Sequence, residues 1–125
     1  MSITRTARIS LRSDGLVVVE VHNGAVQSIE DAKANLTAAI DATAGHRRPL
    51  LVDIRGSQPL DAAARHHYSG QLVAEHFSAL AVLVESTPLG RMMGNVYLRV
   101  AHLDIPTQLF ADESEASTWL SRYTS

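Results

Sequence analysis

The chain has 125 residues, no cysteine and a formal net charge of −2 at pH 7, with 46% apolar and 19% charged residues. One domain with one core fits that length and composition, and wholesale disorder is excluded. The lack of cysteine removes disulfides, thiolate nucleophiles and cysteine-bound zinc. A pI of about 6.3 argues against a phosphate-driven nucleic-acid binder. The longest apolar run, Ala79 to Val84, falls far short of the roughly 18 to 20 residues that span a bilayer. Residues Met1 to Arg8 carry no apolar stretch of the signal-peptide kind. A cytoplasmic location with no membrane span is therefore expected.

Taken in chain order, Ala7, Ile9 and Leu11 alternate with Arg8, Ser10 and Arg12, the period of a half-buried strand. Ser13-Asp14-Gly15 marks a tight turn, and the β-branched run Leu16 to Val21 completes an antiparallel hairpin. Ser28 is placed to cap a helix, with Asp31 at the capping-box distance. Ile29, Ala32, Leu36, Ala39, Ile40 and Thr43 recur at helical spacing, while Glu30, Lys33, Asn35 and Asp41 are assigned to the solvent side. Gly45 marks the end of that helix.

Leu50 to Ile54 after Pro49 is an apolar run broken only by Asp53, the pattern of a central strand covered on both faces. Gly56-Ser57-Gln58-Pro59 reads as a loop. Asp61 is placed to cap a helix from Ala62 through Tyr68, with Ser69-Gly70 a point of interruption before His76. Ser78 to Val84 is the next buried strand. Ser86 is read as a helix cap and Pro88 as a first-turn proline. The inward set of that helix is Leu89, Met92, Met93, Val96, Tyr97 and Val100, and Asp104-Ile105-Pro106 ends it. Thr107 to Phe110 forms a short last strand. Asp112 to Glu115 opens a final helix with a stripe of Ala116, Trp119, Leu120 and Tyr123. The order β-β-α-β-α-β-α-β-α predicts an α/β domain: an N-terminal antiparallel hairpin, then alternating strands and helices around a mainly parallel sheet with right-handed crossovers.

This order and size resemble the STAS domain, the SpoIIAA-like fold of bacterial anti-sigma factor antagonists and of sulfate-transporter tails. In that family a leucine-aspartate-leucine strand is followed eight positions on by Asp-Ser-Ser-Gly. Here Asp53 lies in Leu51-Val52-Asp53-Ile54, and Asp61 follows at 61 − 53 = 8 positions. The two serines correspond to Ala62 and Ala63, and the glycine to Ala64. The second serine is the family's regulatory phosphorylation site, and alanine has no hydroxyl to carry the phosphate. The resemblance therefore implies a STAS-like domain without the usual phospho-switch. The second half is also similar to a group of small uncharacterised bacterial STAS-like proteins. The matching pieces are Ala64-Arg65 with Tyr68, the run Ser86 to Asn95, Pro106 to Phe110, and Asp112 to Ala116 with Trp119-Leu120.

Chemistry-bearing patterns are sparse. His66 and His67 are adjacent, so on a helix they point roughly 100° apart. His22, His46, His76 and His102 are scattered, and no metal-ligand spacing emerges. Gly56-Ser57-Gln58 lacks the elbow of a serine hydrolase. Gly90-Arg91-Met92-Met93-Gly94 lacks a nucleotide-binding pattern, although Arg91 is placed to hold an anion or an acidic partner residue. No catalytic set, metal or cofactor is implied. Arg55, Ser57, Asp61 and Arg65 read as a polar interaction edge, as the corresponding STAS region is. Ser86, Thr87, Arg91 and Met92 are the neighbouring candidates. Met92, Met93, Tyr97 and Leu98 cannot all face inward on one helix, which leaves apolar surface for a partner or an acyl chain.

The expectation is a non-enzymatic signalling or protein-interaction module, a homodimer or bound to another protein. The alternative is a small apolar-ligand or lipid carrier, as in the similarly laid-out CRAL-TRIO domains.

Overall fold

The computed structural model describes residues 1–58, 63–64, 67, 71–92, 95 and 104–124. Among them six strands form one sheet: β1 (Ser2–Ile3), β2 (Ala7–Leu11), β3 (Val17–Val21), β4 (Arg48–Asp53), β5 (Phe77–Leu83) and β6 (Thr107–Phe110). Their spatial order follows the chain, β1 to β6. β1, β2 and β3 pair antiparallel, and β3, β4, β5 and β6 pair parallel. The regular helices are α1 (Ile29–Ala42), α2 (Gln71–His76) and α3 (Glu113–Leu120), followed by a 3-10 turn at Ser121–Tyr123. The expected α/β layout with a lead hairpin and a mainly parallel sheet is what the structure has. β1 is an addition that the sequence pattern did not reveal.

The hairpin closes as its turn residues dictate. Gly15 takes a φ of 91°, a conformation open to glycine. The Arg12 N–H donates to Leu16 O at 2.8 Å. Ala7 and Ile9 are buried and Arg8 is exposed, as alternation requires. Leu11 departs from that pattern: at the hairpin end it is 42% exposed.

α1 and α2 contribute Leu36, Ala39 and Val73 to a core with Ile9, Val17, Val19, Leu50, Phe77, Leu80 and Val82. α1, between β3 and β4, and α2, between β4 and β5, thus share one face of the sheet, as right-handed connections between strands laid down in one direction require. α3 takes the opposite face, where Ala116 and Leu120 meet Leu16, Val18, Leu51, Ala79, Ala81 and Leu83. Trp119 stacks between Phe110 and Tyr123 with ring centroids 5.6 and 5.1 Å away. β4 and β5 are therefore covered on both sides. Pro49, which has no N–H to donate, sits where the β4–β5 register shifts.

α1 starts at the predicted cap. The Ser28 hydroxyl accepts from Asp31 N–H, and the Asp31 carboxylate accepts from Ser28 N–H at 2.9 Å. The helix stops at Ala42, before Gly45. The Thr43 hydroxyl caps Ile40 O at 2.7 Å, and Ala44 already turns left-handed at a φ of 53°. Asn35, assigned to solvent by its polarity, is only 1% exposed. Its amide donates to the Thr6 hydroxyl at 2.9 Å and to Gln27 Oε1 at 3.0 Å, and its carbonyl accepts from the Thr4 hydroxyl. The N-terminal strand segment supplies the partners that make a buried amide tolerable. Beside it, Arg5 Nε donates to Asp31 Oδ1 at 2.9 Å, and the second carboxylate oxygen pairs with Arg5 Nη2.

Asn35→Ala should cost about 1–3 kcal/mol, because the buried partners lose their amide; chemical denaturation measures it. Asp31 is held well below the usual carboxylate range, first by the Arg5 hydrogen bond and then by Ser28 N–H. Such a group adds stability above its unfolded value of about 4 and loses it as pH falls through its lower folded value. Asp31→Asn should melt earlier at pH 7 by an amount worth about 1–2 kcal/mol. The gap to the unsubstituted chain should narrow in melts recorded at progressively lower pH.

Candidate functional site

The parallel register brings β4 and β5 to an end at the same level. Asp53 is opposite Leu83, Ile54 N–H donates to Leu83 O at 3.0 Å, and Val84 N–H donates to Phe110 O at 2.8 Å. The chain then leaves both strands on the same edge of the sheet. Between the two exits lies an open cavity of about 140 Å³, lined by Ile54, Gly56 and Ser57 on one side and by Val84, Glu85, Thr87, Leu89 and Gly90 on the other. The cavity therefore stands at the carboxyl ends of two adjacent parallel strands, where their loops leave the sheet together.

The loop after β4 is rigidly tied. Gly56 takes a φ of 78°, and its carbonyl accepts from Gly24 N–H at 2.6 Å. Gln58 N–H donates to Ala25 O at 3.0 Å, so the segment after β3 braces the loop. Arg55 folds back on its own strand: Nε and Nη2 donate to the two Asp53 carboxylate oxygens at 3.1 and 2.8 Å. This bond raises the Arg55 proton affinity, with smaller fields from Glu113 and Glu85. The Ser57 hydroxyl donates to Ile54 O at 2.8 Å. Both side chains are thus engaged locally.

The segment after β5 corrects two expectations. The helix cap is Thr87, not Ser86. The Thr87 hydroxyl accepts from Gly90 N–H at 3.0 Å, and Arg91 N–H donates to Thr87 O at 3.0 Å. Pro88 follows as the first helical residue, where its missing N–H costs nothing. Ser86 is exposed one residue outside the helix. Leu89 and Met92, expected among the inward set, are 61% and 57% exposed. They are three residues apart and share one helical face, which this first turn leaves largely exposed. Arg91 is exposed and forms no ion pair among the described residues.

Gly90 carries a signal that periodicity could not reveal. A Cβ there would lie 2.6 Å from Glu85 O and 2.7 Å from Glu85 Cβ. The helix start is pressed onto the strand exit, and this closeness shapes the cavity wall.

Of the expected site residues, Ser57 and Thr87 line one cavity, Arg91 and Met92 follow its wall, and Arg55 and Ser86 adjoin it. Asp61 and Arg65 lie outside the described residues, as do Ala62, His66 and His102. Ala63 is helical and exposed, and Ala64 is helical and buried. Leu89 and Gly90 lie within the helix start expected to form the surface, whereas Val84 and Glu85 are lining residues that the sequence pattern had not marked. Among the described residues no three histidine, aspartate or glutamate side chains stand together as a metal site. Among them, too, no helix is long and apolar enough to cross a membrane.

A family model described as a domain of unknown function, DUF7793, matches residues 9–124. No curated protein matches the chain. An uncharacterised protein of the DUF3478 family from Shewanella loihica PV-4, with a SpoIIAA-like fold, superposes with a TM-score of 0.62 at 18% identity. The alignment covers 96% of this chain and 98% of that one. The likeness is one of fold, and it bears out the STAS-like resemblance. A protein of unknown function from Arthrobacter sp. FB24 is 25% identical over 95% of this chain and 96% of its own, with a TM-score of 0.36.

Gly90→Ala should destabilise the chain by about 1–3 kcal/mol, since backbone rather than a flexible side chain must yield. Comparison of denaturation midpoints reads the effect.

Proposed function

The chain belongs to the DUF7793 family, a domain of unknown function, and on that premise we propose that it is a non-enzymatic, STAS-like interaction module of the cytoplasm. Its docking edge is the carboxyl end of β4 and β5. The observation that carries this reading is the pair of large apolar side chains, Leu89 and Met92, exposed beside an apolar cavity on that edge. Exposed apolar surface of this kind, rimmed by Arg55, Glu85 and Arg91, is the ordinary mark of a protein contact.

The chemistry supports binding over catalysis. The Ser57 and Thr87 hydroxyls, the two nucleophile types at the cavity, are engaged with the Ile54 carbonyl and the Gly90 N–H. Among the described residues neither hydroxyl is hydrogen-bonded to a histidine or carboxylate base, which nucleophilic catalysis needs. By the STAS resemblance the regulatory hydroxyl is missing at Ala63, so engagement here is not switched by a phosphate at that position. This cavity does not favour a carrier role, because about 140 Å³ among the described residues is well below the roughly 300–1,000 Å³ of small-molecule pockets.

Native mass spectrometry of the protein purified from its own cells tests the proposal. A complex with a protein, either a second copy or another chain, is the expected result. A monomer carrying a stoichiometric small molecule would overturn it in favour of the carrier.

A further inference from the structure

The edge just described contains both halves of a contact. Its cavity, about 140 Å³, open to solvent and walled in part by Ile54, Val84 and Leu89, has room for one small inserted group, since about 150 Å³ accommodates a benzene-sized molecule. Its natural occupant is therefore one side chain of a partner. Met92 projects from the same surface, 57% exposed and one helical turn beyond Leu89. Methionine is unbranched and flexible, suited to filling an irregular hole. Its own cavity lies beneath the preceding turn, so it is free for another molecule's.

The charges are arranged in the same way. Glu85 lines the cavity, and Arg91 follows Gly90, the last residue of the opposite wall. Both are exposed, and neither forms an ion pair among the described residues. Residues 84–92 thus carry a knob, a hole, an anion and a cation in one patch. A two-fold axis sets each feature against its complement on an identical surface, which is the definition of an isologous interface.

From this self-complementarity we infer that the partner docked at this edge is a second copy of this chain, with Met92 of each copy seated in the other's cavity and Glu85 paired across the axis with Arg91. The inference rests on the interaction-module reading and names its occupant.

Sedimentation equilibrium of the full chain tests it. The unsubstituted protein is expected to be dimeric. Met92→Glu should raise the dimer dissociation constant by about tenfold or more. Glu85→Arg and Arg91→Glu should each weaken association, since each sets like charges opposite one another. The double variant should recover to within about threefold of the original, as a coupled charge pair does. Met92, Glu85 and Arg91 are all exposed, so circular dichroism should show unchanged folding, and recovery by the double variant does not depend on Met92 at all. A dimer indifferent to all three substitutions overturns the inference by placing the interface elsewhere. A monomeric protein that is found with a different chain in its own cells overturns the second-copy occupant and leaves the interaction module standing. A monomer loaded with a small molecule overturns both.

Discussion

The parallel pairing of β4 with β5 is the constraint from which the rest follows. Leu50 and Val52 face one layer of helices and Leu51 the other; Leu80 and Val82 alternate with Ala79, Ala81 and Leu83 in the same sense. A one-residue slip would turn every one of these side chains to the wrong face, so the register is strongly specified. With Asp53 opposite Leu83, the two strands must end together, and the loops that leave them become neighbours. The cavity, the braced Ser57 loop and the Thr87-capped helix start share an edge for that reason. The site is a consequence of core packing rather than an addition to it.

Strand order has an equally wide effect. Because each parallel strand is added on the same side of its predecessor, the crossover helices collect on one face. The other face is left for α3, which packs over β4, β5 and β6. The N-terminal segment is then held by polar rather than apolar means. Arg5 grips Asp31 at the start of α1, and Thr4 and Thr6 satisfy Asn35 within it. A polar cluster of this kind stabilises only when complete, which ties the first strands to the correct orientation of α1. At the far end Arg12 reaches Ser117 of α3 at 3.2 Å, linking the hairpin to the opposite layer.

The fold was largely legible because its signals are local. Alternation in Ala7 to Arg12, the β-branched run Leu16 to Val21, the Ser28–Asp31 box and the acidic start Asp112 to Glu115 each describe a few consecutive residues whose own geometry answers the question. The site was legible only in part. Ser57 and Thr87 were marked by their polar turns after the strands, Arg91 by its place at a helix start and Met92 as apolar surface its helix cannot bury, and the structure gathers all four at one edge. Ser86 and Thr87 are both acceptable caps by residue type; which one bonds to Gly90 depends on the direction in which the chain leaves β5. Leu89 was misassigned because helical spacing says which residues share a face, not whether anything lies under that face. Asn35 was misassigned for the converse reason: its partners are 29 and 31 positions away in Thr6 and Thr4.

The sequence by itself determined the succession of elements, the hairpin, the cap at Ser28, the acidic start of the last helix, the doubly buried central strands and the absence of cysteine chemistry. Those properties reside in neighbouring residues and their periodicity. Tertiary structure alone decided that the exits of β4 and β5 enclose a cavity, that Gly90 must be glycine to let Glu85 pass, and that Leu89 and Met92 meet solvent instead of core. The first relation joins segments some thirty residues apart, brought together by the register of one sheet; the others depend on how the chain leaves β5, and no local pattern encodes what a face will meet once the chain has closed.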